Sequence, residues 1–267
     1  MRRVTHSQPA PGWACLAMVL VLAACSAQDA PESTGADGAS VSTLPNAALL
    51  DPSPADFVAL PCVGTPAGTA CAIVRAGGKT LLFGAPEGVH QALVIAGGEG
   101  PDGVFLFTLE GAGLEGLVRL RNQTWIDGRD HKLPVAGPDG TSLFLAYLDK
   151  GLERSDAVAY LRHRPAGRFD AALFAPIDVA QTPSLRVFDS GDLAVEAHPG
   201  ADGMVHYFAL YGGHTLLLSG CRMTDTDRLE DADTVIACGV DEAGKWHWPL
   251  AKPGVSMIGD PPVAVQQ

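Results

Sequence analysis

Apolar residues recur along this chain in short runs that Gly, Pro and acidic residues interrupt, a pattern typical of a layered α/β domain. The run at residues 104–108 predicts a buried strand, and residues 114–120 predict the start of a helix. A polar, Gly-rich turn joins the two. A strand that ends where a helix begins places its tip at the edge of the sheet, where α/β folds carry their chemistry. This turn is therefore the candidate site.

The residues before this turn predict a hairpin, a third strand and a helix. The apolar runs 57–63 and 69–75 flank a loop containing Gly and Pro, which is typical of a β-hairpin. Residues 79–84 follow a Gly-Gly turn as a third strand. Residues 86–95 predict a helix with Pro86 in its first turn.

The residues after the turn predict two helical pieces and two strand pairs. Residues 142–148 and 155–162 carry the helical pattern, with Ser155 as the N-cap of the second piece. Residues 185–197 and 204–219 each predict a strand–turn–strand unit folded about a turn containing Gly.

The N-terminus has the features of a bacterial lipoprotein signal. A basic start precedes an apolar run of about 12 residues, shorter than the roughly 20 that a spanning helix needs. The run ends in Leu-Ala-Ala before Cys25, which resembles a lipobox. We expect removal of residues 1–24 and acylation of Cys25. Ser26 stands where an Asp would indicate inner-membrane retention, so we expect the periplasmic face of the outer membrane.

The mature chain is expected to contain one folded domain. Residues 25–55 are rich in Ala, Ser, Pro, Gly and acidic residues, a composition typical of a flexible tether. Residues 56–262 are long enough for a single domain, and residues 263–267 are a tail.

The charge balance excludes some partners. The chain has 18 Lys and Arg against 30 Asp and Glu, a net charge of −12, and the loss of Arg2 and Arg3 with the signal leaves 16 against 30, or −14. Because each phosphate contact needs a Lys or Arg, this balance argues against RNA, DNA or an anionic membrane face as a partner.

Four cysteines remain for disulfides once Cys15 and Cys25 are set aside, and three pairings are possible. Cys62 and Cys71 flank the loop of the first hairpin, so a bond between them is geometrically easy. We favour that pair, and the residues alone leave the pairing of Cys221 and Cys238 open.

Several segments resemble motifs of the metallo-β-lactamase fold, in its ribonuclease Z and arylsulfatase-like branch, and they come in the family's order. Residues 77–89 resemble the family's gg-x-x-LLFD-x-GEG segment, with Gly84 in place of the usual Asp. Residues 125–141 resemble W-x-x-GR…PLPVYGPxGT, and residues 219–222 resemble SGDT. The resemblance implies an α/β fold, a four-layer αββα sandwich, shortened at the C-terminus.

In this family the central turn reads T-H-x-H-x-D-H-x-x-G-L and helps to hold two zinc or similar divalent ions. Here the frame is kept and the ligands are replaced. The positions that correspond to metal ligands are Thr108, Glu110, Ala112, Gly113, Asp202 and Cys221. The resemblance therefore implies a lost metal site, and we expect no metal cofactor.

The resemblance also bears on the second disulfide and on an alternative metal site. It places Cys221 and Cys238 at the ends of neighbouring strands, within reach of a disulfide, and for this reason we favour that second pair. Glu110, Asp202 and Cys221 could form a makeshift metal set, with His198 or Cys238 as extra ligands.

We expect a non-catalytic lipoprotein that binds a small ligand or a partner in the cell envelope and does not bind nucleic acid. The alternatives are a hydrolase of esters, sulfates or phosphodiesters with a rebuilt site, and a purely structural protein.

Overall fold

The computed structural model describes residues 56–66, 68–180, 184–200, 203–220, 232–240, 246–247 and 256–258. All of them belong to one compact unit, Thr43–Gln267. A second unit, Met1–Ser42, lies outside the described residues, as do the predicted signal, Cys25 and all of the predicted tether.

The first half of this unit forms a seven-stranded sheet with strand order β14-β1-β2-β3-β4-β5-β6. Strands β14, β1, β2 and β3 pair antiparallel, and β3 to β6 pair parallel. The strands are β1 (Val58–Pro61), β2 (Ala72–Ala76), β3 (Lys79–Phe83), β4 (Gly103–Phe105), β5 (Leu133–Pro138), β6 (Phe174–Val179) and β14 (Ser256–Met257). The C-terminal segment thus returns to the edge of the sheet beside β1.

Helices connect the parallel strands, as parallel pairing requires. They are α1 (Val89–Ile95), α2 (Leu117–Ile126), α3 (Thr141–His163) and α4 (Phe169–Ala172). α1 follows β3, α2 follows β4, and α3 and α4 lie between β5 and β6. Among the described helices, none has both the length and the apolar character that a membrane span requires.

Helix α3 corrects the prediction of two helical pieces. It runs unbroken through 23 residues, and Ser155 lies exposed in its interior rather than at an N-cap. The segment between the predicted pieces contains Gly151 but no Pro, and a single Gly costs a helix only about 1 kcal/mol. That cost is too small to end a helix that packs on β5 and β6.

The second half forms a five-stranded sheet with strand order β11-β10-β9-β8-β7. Its strands are β7 (Leu185–Asp189), β8 (Ala194–Pro199), β9 (Val205–Tyr211), β10 (His214–Leu218) and β11 (Thr234–Ile236). β10 and β11 are parallel neighbours, and the other pairs are antiparallel. A separate two-stranded pair joins β12 (Gly239–Val240) to β13 (Trp246–His247).

The two sheets pack face to face around one apolar core. Both sheets contribute to it, through residues such as Phe83, Phe105, Val195, Tyr207 and Leu218. A second core lies between the other face of the seven-stranded sheet and the helices, including Leu82, Val104, Leu93, Leu117 and Leu145. The described residues therefore form a helical layer and two sheets, and the fourth layer that the resemblance implies is not among them.

A buried ion pair holds the helical layer together. Arg121 of α2 is fully buried and makes two hydrogen bonds to the carboxylate of Asp156 in α3, of 2.9 and 2.7 Å. Asp149 of α3 lies 3.2 Å from the same guanidinium group. Its carboxylate also accepts a hydrogen bond from the amide of Phe174, which connects the pair to β6.

Candidate functional site

The tips of strands from both sheets surround one cleft of about 730 Å³. The wall from the seven-stranded sheet comes from the ends of β3, β4 and β5, and the opposite wall from the start of β9 and the end of β10. The lining residues are Gly68, Thr69, Ala70, Gly84, Phe107, Thr108, Leu109, Glu110, Ala112, Gly113, Pro138, Asp139, Gly203, Met204 and Gly220.

The central turn is held in place by backbone hydrogen bonds. Regular pairing of β4 ends at Phe105, earlier than predicted, and a 3₁₀ turn forms at Gly111–Gly113. The amide of Ala85 donates to the carbonyl oxygen of Gly113 (3.1 Å), and the amide of Gly116 donates to that of Ala85 (2.9 Å). The turn is therefore fixed to the end of β3 by backbone hydrogen bonds.

The five-stranded sheet is fixed to the same turn. The amide of Val205, at the start of β9, donates to the carbonyl oxygen of Phe107 at 2.9 Å. The hydroxyl of Tyr207 donates to the carbonyl oxygen of Leu106 at 2.7 Å. These two bonds bring Met204 against the tip that follows β4.

Four of the predicted site residues lie together in this cleft. Thr108, Glu110, Ala112 and Gly113 all line it. Asp202 and Cys221 lie outside the described residues, although their neighbours Gly203 and Gly220 are part of the wall. The turn that the sequence analysis singled out therefore forms part of the cleft wall.

The described cleft residues provide few donors for a metal. The Thr108 hydroxyl accepts a hydrogen bond from the amide of Glu110 at 3.1 Å, and Ala112 and Gly113 have no donor in their side chains. Within the described parts of the chain, no group of three or more His, Cys, Asp and Glu side chains could hold a metal ion. The described positions do not fit a two-ion site.

The position of the family's supporting Asp, which is Gly84 in this chain, has no room for a side chain. Its φ is +81°, which favours glycine, and a Cβ added there would lie 2.2 Å from the carbonyl oxygen of Ala70. The backbone of the first hairpin therefore occupies the space where the family has an Asp side chain.

Comparison with known proteins gives matches among solved structures only. No protein-family model matches the sequence, and no curated protein matches it. The structure is similar to human tRNase Z, short form, with 16% identity, 70% of this chain and 78% of that chain covered, and a TM-score of 0.51. It is also similar to the metallo-β-lactamase fold protein YhfI from Bacillus subtilis, with 16% identity, coverage of 68% and 70%, and a TM-score of 0.44.

This chain has the metallo-β-lactamase fold. The predicted α/β class is confirmed with it. At 16% identity the likeness to tRNase Z concerns the fold, and the chemistry of this chain has to be argued from its own cleft.

Two polar residues that line the cleft, Asp139 and Thr69, were not predicted from the sequence. Asp139 is exposed at the turn that leads into α3, and Thr69 lies on the first hairpin. Asp139 occupies a variable position of the family's GPxGT run, so the motif gave no reason to single it out. Thr69 is near the cleft only because the hairpin folds over β3.

His198, an extra ligand of the alternative metal set, is not among the described lining of the cleft, and neither are two further polar residues, His206 and Ser219. The ring of His198 packs edge-on against Phe208, with centroids 4.8 Å apart. His206 and Ser219 are both buried, with 2.9 Å between the imidazole Nδ1 and the hydroxyl. Ser219 is fully buried and so cannot serve as an accessible nucleophile.

All three cysteines in the described part of the chain form disulfides. Cys62 and Cys71 form a disulfide with their Cα atoms 5.6 Å apart, closing the hairpin loop that carries Thr69 and Ala70 into the cleft. Cys238 also forms a disulfide, two residues after β11, the parallel neighbour of β10. Cys221 lies outside the described residues, so the Cys221–Cys238 pairing stays a prediction.

Proposed function

We propose that this chain is a non-catalytic, lipid-anchored protein of the metallo-β-lactamase fold that binds a small ligand or a partner through the cleft at its strand tips. One observation carries the proposal. The chain forms a cleft at its strand tips, fixed by backbone hydrogen bonds. Ala112 and Gly113 occupy two positions that correspond to metal ligands, and the carbonyl oxygen of Ala70 leaves no room for a side chain at Gly84, the position of the family's supporting Asp.

The lining indicates the chemistry of the ligand. Glu110 and Asp139 are the charged residues among the described lining, which includes no Lys, Arg or His. A phosphate or sulfate group would face two carboxylates without a cation to pair with. Phe107, Leu109 and Met204 provide an apolar wall. The cleft therefore suits a neutral or cationic ligand with an apolar part.

A cleft-filling variant tests this proposal. A Cβ added at Gly113 would lie 3.4 Å from Thr108 Cγ2, an ordinary contact, and Gly113 lines the cleft, so we expect Gly113→Trp to obstruct the cleft. Gly111 faces open space and is not part of the lining, so Gly111→Trp is a matched control.

We expect capture from solubilised cell envelope by wild type and Gly111→Trp, and loss of that capture with Gly113→Trp. Equal capture by all three proteins would show that the cleft is not the binding site.

The location is a second part of the proposal. The lipobox-like residues before Cys25 support acylation and anchoring, with Ser26 favouring the periplasmic face of the outer membrane. Mass spectrometry of the mature N-terminus should find an acylated Cys25, and Cys25→Ser should release the protein from the membrane fraction. A mature protein that begins elsewhere and carries no lipid would contradict this part.

The alternative is a metal-dependent hydrolase with a rebuilt site. It is favoured by the presence of Glu110 and Asp139 in one cleft, since carboxylates bind hard cations. In that case purified protein should contain stoichiometric metal, and Glu110→Ala should remove both the metal and the hydrolysis of esters, sulfates or phosphodiesters. Metal analysis of both proteins distinguishes the alternative from the non-catalytic proposal.

A further inference from the structure

Helix α3 exposes apolar side chains along its outward face. Leu161, Tyr147 and Leu143, with 77, 71 and 62% exposure, are the most exposed large apolar residues in the described part of the chain. Val158 adds a fourth at 44%. A surface helix normally turns its apolar residues toward the core and its polar residues toward water. The outward face of α3 departs from that rule.

The four residues form one stripe. At 3.6 residues per turn, positions 143, 147, 158 and 161 fall within about 60° of the helix circumference, and they span about 27 Å along the axis. We call Leu143, Tyr147, Val158 and Leu161 the α3 stripe. The opposite side of the helix carries the buried Leu145 and Asp156 toward the sheet and α2. The stripe is therefore not needed for the core.

Exposed Lys and Arg side chains lie along the α3 stripe. Lys150 and Arg154 are exposed at its middle, and Arg162 is exposed at its end. Arg164 and Arg168 follow, both exposed, just beyond the helix.

The acidic residues of this region pair with other groups or lie outside the stripe. Glu153 lies 2.8 Å from Lys150, Asp149 and Asp156 face Arg121 on the other side, and Asp139 and Asp170 lie beyond the two ends.

We propose that the α3 stripe docks on an anionic lipid surface. In this arrangement Leu143, Tyr147 and Leu161 enter the interface between headgroups and acyl chains, and Arg154 and Arg162 pair with lipid phosphates. Apolar side chains mixed with Lys and Arg on one exposed helical face are the combination that interfacial helices use.

The same cations argue against a second copy of this chain as the occupant. A two-fold axis through the middle of the stripe would place Arg154 of one copy beside Arg154 of the other, and like charges repel. The acidic balance of the whole chain, −12 or −14 without residues 1–24, led us to expect no anionic membrane face as a partner, and the α3 stripe is a local exception to that expectation. Exposed charges are screened beyond a Debye length of about 8–10 Å, so the local charge of this face decides the contact.

Fluorescence quenching in vesicles tests the proposal with the full chain. Tyr147→Trp places a reporter on the stripe, and Leu185→Trp places a matched reporter on β7 of the other sheet, where Leu185 is also exposed. Each protein is incorporated into vesicles of zwitterionic lipid alone and into vesicles that also contain phosphatidylglycerol. The acyl chains carry bromine near the headgroup, and the signal of the parent chain is subtracted.

We expect quenching at position 147 with phosphatidylglycerol, weaker quenching without it, and none at position 185. Adding Arg154→Gln and Arg162→Gln to Tyr147→Trp should lower the ratio of docked to free protein about 25-fold, since each cation near an anionic surface contributes about fivefold.

Three results would overturn the proposal. The first is equal quenching at positions 147 and 185, and the second is quenching at 147 that does not depend on phosphatidylglycerol. The third is a fluorescence shift at 147 that depends on protein concentration and not on lipid, which would indicate self-association. The experiment is independent of the cleft, so its outcome leaves the proposed ligand binding untouched.

Discussion

The hydroxyl of Tyr207 donates a 2.7 Å hydrogen bond to the carbonyl oxygen of Leu106, and the two residues belong to different sheets. Tyr207 is fully buried in β9, and Leu106 follows β4 directly before the cleft. Burial raises the pKa of the Tyr207 hydroxyl well above its ordinary value, so the group keeps its proton and remains a donor. This bond joins the two strand tips behind the site.

Tyr207→Phe should therefore destabilise the protein. The substitution leaves the buried carbonyl oxygen of Leu106 without this donor, a loss of about 1–3 kcal/mol in the free energy of unfolding. Tyr147→Phe removes a hydroxyl from an exposed ring and should change stability by less than about 0.5 kcal/mol. Denaturant unfolding of both variants checks the difference, and equal effects would mean that the bond between the sheets contributes nothing.

Restoring the family's supporting Asp should fail at Gly84. Gly84→Asp introduces a Cβ 2.2 Å from the carbonyl oxygen of Ala70 at a φ of +81°. We expect a loss of more than about 2 kcal/mol in the free energy of unfolding.

Gly113→His is the control for that substitution, because its Cβ meets Thr108 Cγ2 at 3.4 Å and φ is not positive there. It should cost less than about 1 kcal/mol. Thermal unfolding compares the two, and a stable Gly84→Asp protein would show that the hairpin can move away from β3.

The two carboxylates around Arg121 should respond differently to neutralisation. Asp156→Asn breaks a buried pair with two hydrogen bonds and leaves a buried charge, which costs about 3–5 kcal/mol. Asp149→Asn should cost much less. Burial raises the pKa of Asp149 and outweighs the lowering by the Phe174 amide and by Arg121, 3.2 Å away. Urea unfolding at neutral pH measures both variants.

The raised pKa of Asp149 also predicts a pH dependence. A raised carboxyl pKa means that the folded state binds the proton more tightly than the unfolded state does. The resulting stability is fully present below the ordinary pKa of about 4 and is lost as pH rises through the folded pKa. Wild type should therefore lose stability relative to Asp149→Asn as pH rises through that range. A difference that is constant across it would contradict the shift.

The disulfide of the first hairpin should support both the fold and the cleft. Replacing Cys62 and Cys71 with Ala frees a loop whose ends are nine residues apart in sequence, and the chain-entropy model gives a loss of about 3 kcal/mol. The loop carries Thr69 and Ala70, so capture from solubilised envelope should weaken too. Unfolding without reductant tests the first effect, and unchanged stability would show that other contacts hold the loop.

Much of this structure could be read from the pattern of the chain. Residues 57–63, 69–75 and 79–84 were predicted as strands and form β1, β2 and β3, each within a few residues of its predicted bounds. Short apolar runs bounded by Gly and Pro identify strands well, because turns depend on local backbone preference. The continuity of α3 was missed, because packing against β5 and β6 outweighs the weak propensity of Gly151.

The cleft was only partly predictable. Thr108, Glu110, Ala112 and Gly113 were identified because the turn that contains them resembles the family's T-H-x-H-x-D-H-x-x-G-L motif. Asp139 and Thr69 were not, because the contacts that bring them to the cleft come from β5 and from a hairpin closed by a disulfide. Such contacts join residues far apart in the chain, and no local pattern records them.

The sequence by itself determined the order of the elements and the position of the central turn, because both depend on residue type and spacing. The replacement of metal ligands in that turn is what the resemblance to the family implies. Only the tertiary structure decided that the tips of two sheets meet at one cleft, that Ala70 closes the space beside Gly84, and that α3 turns its apolar stripe outward. Those features depend on which surfaces pack together, and packing is settled by the whole chain at once.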